Sequence, residues 1–189
     1  MSHRLLALAV LAPLAACGPG PLRLTVPPAA TEARVAIGFA TIEVLDVSLP
    51  TYAEGEEIYL QGPGGALVQA DAIWADDPAR ALTLDLARSL GELTDARTAP
   101  EPWPFEEPAQ AQVDVRVAEL VAQVSEGEGR FLMRGQYFVA SQDGSGRDRA
   151  REFSVSAPLA PGAGPAAIAA ARAQATLALA QEIASEGLR

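Results

Sequence analysis

The sequence predicts an α+β domain, a mixed and mostly antiparallel sheet of about six strands with two helices packed on one face. Three observations carry this. Val113, Val115 and Val117 alternate with Gln112, Asp114 and Arg116, the pattern of a strand with one dry and one wet face. Leu82, Leu86, Leu90 and Leu93 recur at helical spacing, and an alanine-rich run over 166–186 repeats the stripe with Ile168, Ala171, Ala175, Leu179 and Ile183. The order of elements is strands, helix, three strands, helix, which one sheet with both helices on the same side satisfies most economically.

Ahead of the domain, Arg4 precedes an apolar run from Leu5 to Pro13 that closes in Leu14-Ala15-Ala16-Cys17. A short positive head, an apolar core and small residues at its end describe a secretory signal. The core is too short to span a bilayer, which takes about 20 apolar residues. Its ending resembles the lipobox of bacterial lipoproteins, which implies that Ala16 is the last residue removed and that Cys17 receives a diacylglycerol and an N-acyl chain. That lipid is covalent, and no other cofactor is expected. Two or more acyl chains hold a protein firmly to a membrane. Gly18 follows the cysteine in place of the aspartate typical of inner-membrane retention, so the resemblance implies the outer membrane, with the domain facing the periplasm. The boundaries are 1–16 for the signal peptide, 17–30 for the lipidated cysteine and a Pro/Gly-rich tether, and 31–189 for one domain.

Within the tether, Leu22, Leu24 and Val26 can add a short edge strand. The β-branched stretch from Arg34 to Ser48 predicts a strand with a bulge near Gly38 or Thr41, stopped by Pro50. Glu57–Gln61 and Ala66–Ala72 flank Gly62-Pro63-Gly64-Gly65 and form a hairpin. Asp76-Asp77-Pro78 starts the first helix, aspartate capping and proline in the first turn, and the helix ends near Thr94. Leu84 falls off its apolar stripe and needs another neighbour. Residues 99–108 are proline-rich and predict an extended loop. The valine strand turns at Glu126-Gly127-Glu128-Gly129 into Phe131, Met133, Tyr137 and Val139, then at Asp143-Gly144-Ser145-Gly146 into Arg151–Ala157, a three-strand meander.

Composition excludes several chemistries. The chain carries 24 Asp and Glu against 14 Lys and Arg, a net charge of −10, and removal of Arg4 with the signal makes it more acidic. Such a chain lacks the cations that neutralise nucleic-acid phosphates. Its single histidine, His3, lies in the signal, its single cysteine is the lipidated Cys17, and it has no lysine. A Ser-His-Asp or Cys-His site, a zinc site of the usual Cys/His type, and a phosphate-binding or Schiff-base lysine are therefore all unavailable. What remains for catalysis is a carboxylate pair or a carboxylate-bound metal; Asp76 and Asp77 are already explained by helix capping, so a non-enzymatic protein without a metal site is expected.

The remaining signals are aromatics framed by prolines. Leu49-Pro50-Thr51-Tyr52 ends the first strand region, Trp74-Ala75-Asp76-Asp77-Pro78 enters the first helix, and Pro102-Trp103-Pro104-Phe105 sits in the later loop. With the lipobox and the element order, these resemble the PqiC family, the auxiliary lipoproteins of MCE-type lipid transport systems, over roughly Ile42 to Leu188. The resemblance implies a non-enzymatic subunit that joins an MCE-domain, tube-forming protein, assembles as a ring-like homo-oligomer and supports membrane integrity. The alternative is a tethered lipoprotein that carries a lipid or glycan in a pocket of its own. Candidate partner-binding residues are Leu49, Pro50, Tyr52, Trp74, Pro102, Trp103 and Phe105. Trp103 and Phe105 have the strongest claim, because a proline-rich loop presents side chains at low entropic cost. This chain departs from the family pattern at Glu54–Glu57, where an arginine is frequent, and in its Asp-Asp-Pro helix entry.

Overall fold

A computed structural model describes residues 20–124, 129–159 and 164–189. The signal, Cys17 and most of the Glu126–Gly129 turn lie outside the described residues. Eight strands form one sheet: β1 (Leu22–Leu24), β2 (Thr41–Val44), β3 (Glu57–Gln61), β4 (Leu67–Trp74), β5 (Arg97–Pro100), β6 (Ala111–Val124), β7 (Gly129–Ser141) and β8 (Arg149–Leu159). Helices α1 (Pro78–Thr94) and α2 (Pro165–Glu182) pack on one face, and a π turn, Ile183–Gly187, extends α2. Most paired residues are antiparallel, in the β6–β7–β8 meander and the β3–β4 hairpin. The shorter pairings of β1 with β4, β2 with β5, β2 with β6 and β3 with β6 are parallel.

Strand β6 is the hub. One edge bonds to β7 along its whole length. The other edge is shared, with β2 against Ala111–Val113, a bridge from Ser48 to Arg116, and β3 against Ala122 and Gln123. Val113, Val115 and Val117 are buried, while Arg116 is exposed and pairs with the half-buried Asp114. Val115→Ala should therefore cost about 1–3 kcal/mol through lost burial and a cavity. Asp114→Ala should cost under about 1 kcal/mol, since an exposed ion pair contributes little. Urea melts of the two variants compare them directly.

Helix α1 begins where the sequence places it. The Asp77 carboxylate accepts from the Arg80 amide at 2.7 Å, and Pro78 holds the first helical position. Asp95, at φ 58° in the left-handed region, closes the helix. Leu82, Leu86, Leu90 and Leu93 are fully buried, as are Leu179 and Ile183 of α2 and its π turn. Leu84 remains exposed, at the rim of a cleft with Val26 and Arg172.

Two elements and the strand count differ from the sequence reading. The strand expected over 34–48 is regular only at Thr41–Val44. The segment before it crosses the helix ends instead. The Val35 amide donates to the Leu93 carbonyl at 2.8 Å, and the Gly38 amide to the Leu188 carbonyl at 2.9 Å. The last carbonyls of a helix have no partner within it, so an extended β-branched segment satisfies them as well as it would a strand edge. The stretch read as loop from residue 99 begins inside β5, whose Pro100 is tolerated because it ends an edge strand. The sheet accordingly has eight strands rather than about six.

Tyr137 is fully buried under the helices, and its hydroxyl has no hydrogen-bond partner among the described residues. Burial first, then the Glu182 and Glu186 carboxylates, push that hydroxyl up to about 12 from its usual 10, against the opposing charge of Arg151. In the unfolded chain it ionises near 10, in the folded chain near 12, so its contribution to stability falls as pH rises across that window. Tyr137→Phe removes no hydrogen bond. It should leave stability at pH 7 within about 0.5 kcal/mol. Above pH 10 the variant should outlast the parent in alkaline melts.

Candidate functional site

The proline-framed aromatics separate into two groups. Leu49 is buried, Pro50 is half-buried and enters a 3₁₀ turn, Thr51–Ala53, and the half-buried Tyr52 reaches back to β6, where its hydroxyl accepts from the Leu120 amide at 2.9 Å. The ladder between β6 and β7 shifts between Val117 and Glu119. Tyr52 thus satisfies an amide next to a bulge, and its ring meets Tyr59 edge-on at 6.0 Å. Burial raises its hydroxyl above the ordinary value, as does the Glu119 carboxylate, against the opposing hydrogen bond from Leu120. Trp74 is also buried, with the Arg172 guanidinium 4.6 Å above its ring.

Pro102, Trp103 and Phe105 lie on the surface. The Trp103 amide donates to Glu43 Oε1 at 3.1 Å, and its indole N–H to the Glu107 carbonyl at 2.7 Å. Glu43 is buried in β2, and Gln112 Nε2 donates to its other oxygen at 2.7 Å. The Phe105 ring is 44 % exposed, packs edge-on against Trp103 at 4.9 Å, and carries the Arg97 guanidinium 5.1 Å from its centroid. The loop is therefore held at the Trp103 backbone amide and at its indole N–H, with Trp103 half-buried, Phe105 outward, and Glu101, Glu106 and Glu107 exposed around them. A buried carboxylate needs partners. Glu43, set between apolar Ile42 and Val44, was the available sequence signal for this anchor.

On the helix-free face, a groove of about 920 Å³ runs past the β6 bulge, lined by Tyr52, Arg116, Glu119, Arg134, Gln136 and Glu152 among others. Arg134 bonds Glu119 across it. The lining mixes the charged Arg116, Glu119, Arg134 and Glu152 with the apolar Leu67, Val117, Ala118 and Phe153. Among the described residues, no group of three or more His, Cys, Asp or Glu side chains converges as metal ligands would, and no helix is long and apolar enough to cross a membrane.

The sequence model of the ABC-type transport auxiliary lipoprotein component matches residues 22–184, nearly the whole described chain. The chain belongs to this family. For the auxiliary lipoprotein, the sequence motifs had pointed the same way, to the PqiC type. Two solved structures agree on the fold. A crystal structure of an uncharacterised protein superposes with a TM-score of 0.64 at 18 % identity, covering 81 % of this chain and 97 % of the other. A Xanthomonas campestris protein of the DUF330 family gives 0.64 at 18 %, covering 89 % and 93 %. A dodecameric PelC from Paraburkholderia phytofirmans gives 0.42 at 9 %, covering 82 % and 96 %. No curated protein matches the auxiliary lipoprotein.

Proposed function

We propose that this chain is an outer-membrane lipoprotein, anchored through Cys17 with its domain in the periplasm, and a non-enzymatic auxiliary subunit of an MCE-type intermembrane lipid transport system. It supports membrane integrity by docking, as a homo-oligomeric ring, onto an MCE-domain tube-forming protein, while the driving chemistry resides elsewhere. Membership of the transport auxiliary family supports the class of role. The observation that carries the docking is the Pro102–Trp103–Phe105 loop, an exposed Phe105 packed on a half-buried Trp103 that hydrogen bonds to Glu43 and Glu107 already fix. A pre-ordered aromatic anchor with a charged rim has the anatomy of a hot spot. Pro50, Tyr52, Leu49 and Trp74 act behind it, holding the sheet that presents the loop.

The test is capture. Full-length lipidated protein, gently extracted, is expected to retain an MCE-domain protein, and Trp103→Ala should weaken that capture by roughly 30-fold, the scale of a 2 kcal/mol hot spot. Its thermal unfolding should move far less. A lipidated protein that stays monomeric at every salt concentration and captures nothing, yet is purified with a lipid or glycan bound, favours the carrier reading instead.

A further inference from the structure

Among the described residues, three of the six exposed large apolar side chains, Leu67, Val68 and Val124, gather at one end of the sheet, and a fourth, Leu22, lies four residues further along β4 from Val68. Register fixes their spacing. Val68 stands opposite Leu60, which pairs with Ala122 of β6 two residues before Val124. Leu22 begins β1 beside Ala72, two residues before buried Leu24. Leu22, Val68 and Val124 therefore continue the helix-bearing face of four neighbouring strands past the cover of the helices, and Leu67 starts β4 at the hairpin tip. Residues 58–70, which build that hairpin, carry no charged side chain in a chain of which 20 % is charged.

β1 runs parallel to β4, so Gly20 and Pro21, preceding it, lead back toward the hairpin tip and the end of β6. Leu22 is five residues after Cys17, a reach of about 17 Å at most. We propose that this end of the sheet is a lipid-facing surface, resting on the bilayer that holds the acyl chains of Cys17. The inference rests on the lipidation in the proposed function and adds an orientation to it. Trp103 is bonded to β2, which pairs with the first residues of β6. The docking loop therefore lies near the opposite end of a 14-residue strand, about 40 Å from Val124 and turned away from the membrane.

The experiment uses the full-length protein in phosphatidylethanolamine–phosphatidylglycerol vesicles containing a headgroup-spin-labelled phospholipid. Because acylation consumes the Cys17 thiol, Val68→Cys, Leu22→Cys or Phe105→Cys supplies a lone free thiol for a fluorophore. Labels at 68 and 22 should be quenched more strongly than the label at 105. Equal quenching, or stronger quenching at 105, overturns the orientation. So does a label at 68 that is shielded from aqueous iodide yet untouched by the spin label, since a protein would then cover that end. Intact mass and vesicle flotation report lipidation separately. A chain without acyl mass that fails to float overturns the anchoring reading and this surface with it.

Discussion

Gly135→Ala should lower the stability of the domain by about 3 kcal/mol, at the upper end of the cost of overpacking a filled interior. For a domain of this size that corresponds to roughly 6–12 °C in Tm. The cause is local. Gly135 pairs with Val117, next to the point where the β6–β7 ladder slips by one residue. The bulge pushes the β6 backbone into the space a side chain would occupy, so a Cβ at 135 would lie 2.1 Å from the Arg116 carbonyl oxygen and 2.9 Å from Val117 Cα. Those atoms are backbone, held by the ladder to β7 and by the Val117 amide's bond to the Ser48 carbonyl. They cannot turn aside as a flexible side chain would. Gly144→Ala, in the exposed turn at φ 74° with open space around it, serves as the comparison. It strains a dihedral but displaces nothing, and should cost about 1 kcal/mol. Chemical melts that rank the two substitutions in the other order would mean that the bulge relaxes freely.

The same bulge marks where sequence reading stopped. Alternation of valines places Val113, Val115 and Val117 inward, and they are inward. Past Ala118 the phase inverts, and Leu120 and Ala122 take over the buried face. A single inserted residue has no composition of its own, and the only hint was the glycine opposite, Gly135, which falls in phase with the inward Phe131, Met133, Tyr137 and Val139 yet carries no side chain. Helix α1 was legible to within a residue because its cap, its N1 proline and its leucine stripe are all local chemistry. The segment before Thr41 was not, because β-branched periodicity reports extended backbone and says nothing about which carbonyls it will meet. The loop of the candidate site was legible as proline-framed aromatics. Its anchoring to Glu43, 60 residues away in sequence, depends on the parallel pairing of β2 with β5 and β6, a non-local contact that pattern alone does not specify.

Arg172 was the largest omission, and its replacement should separate charge from packing. It sits among alanines in α2 and is 1 % exposed. Nη2 donates to the Pro78 carbonyl at 2.9 Å, tying α2 to the first turn of α1, and the guanidinium covers Trp74. Nε is buried with no partner among the described residues. Burial pushes the guanidinium down to about 10, while Asp85 foremost, then Asp76 and Asp77, act to hold its proton. Removing one partner of a buried charge cluster typically costs about 3–5 kcal/mol, whereas an apolar residue of similar volume is often tolerated. Arg172→Ala should therefore be strongly destabilising, and Arg172→Met much less so, because methionine refills the space over Trp74 and abolishes the unmet Nε donor. A pH dependence follows. Burial already raises the Asp85 carboxyl, against the charges of Arg88 and Arg172. Without Arg172 the folded-state pKa rises further above that of the unfolded chain, so the ionised carboxylate penalises the fold at neutral pH and protonation relieves it. The deficit of Arg172→Ala relative to the parent should shrink between pH 8 and pH 4 in urea melts. A methionine variant as damaged as the alanine one, with a deficit that does not change with pH, would mean that Arg172 acts through its hydrogen bond to Pro78 alone.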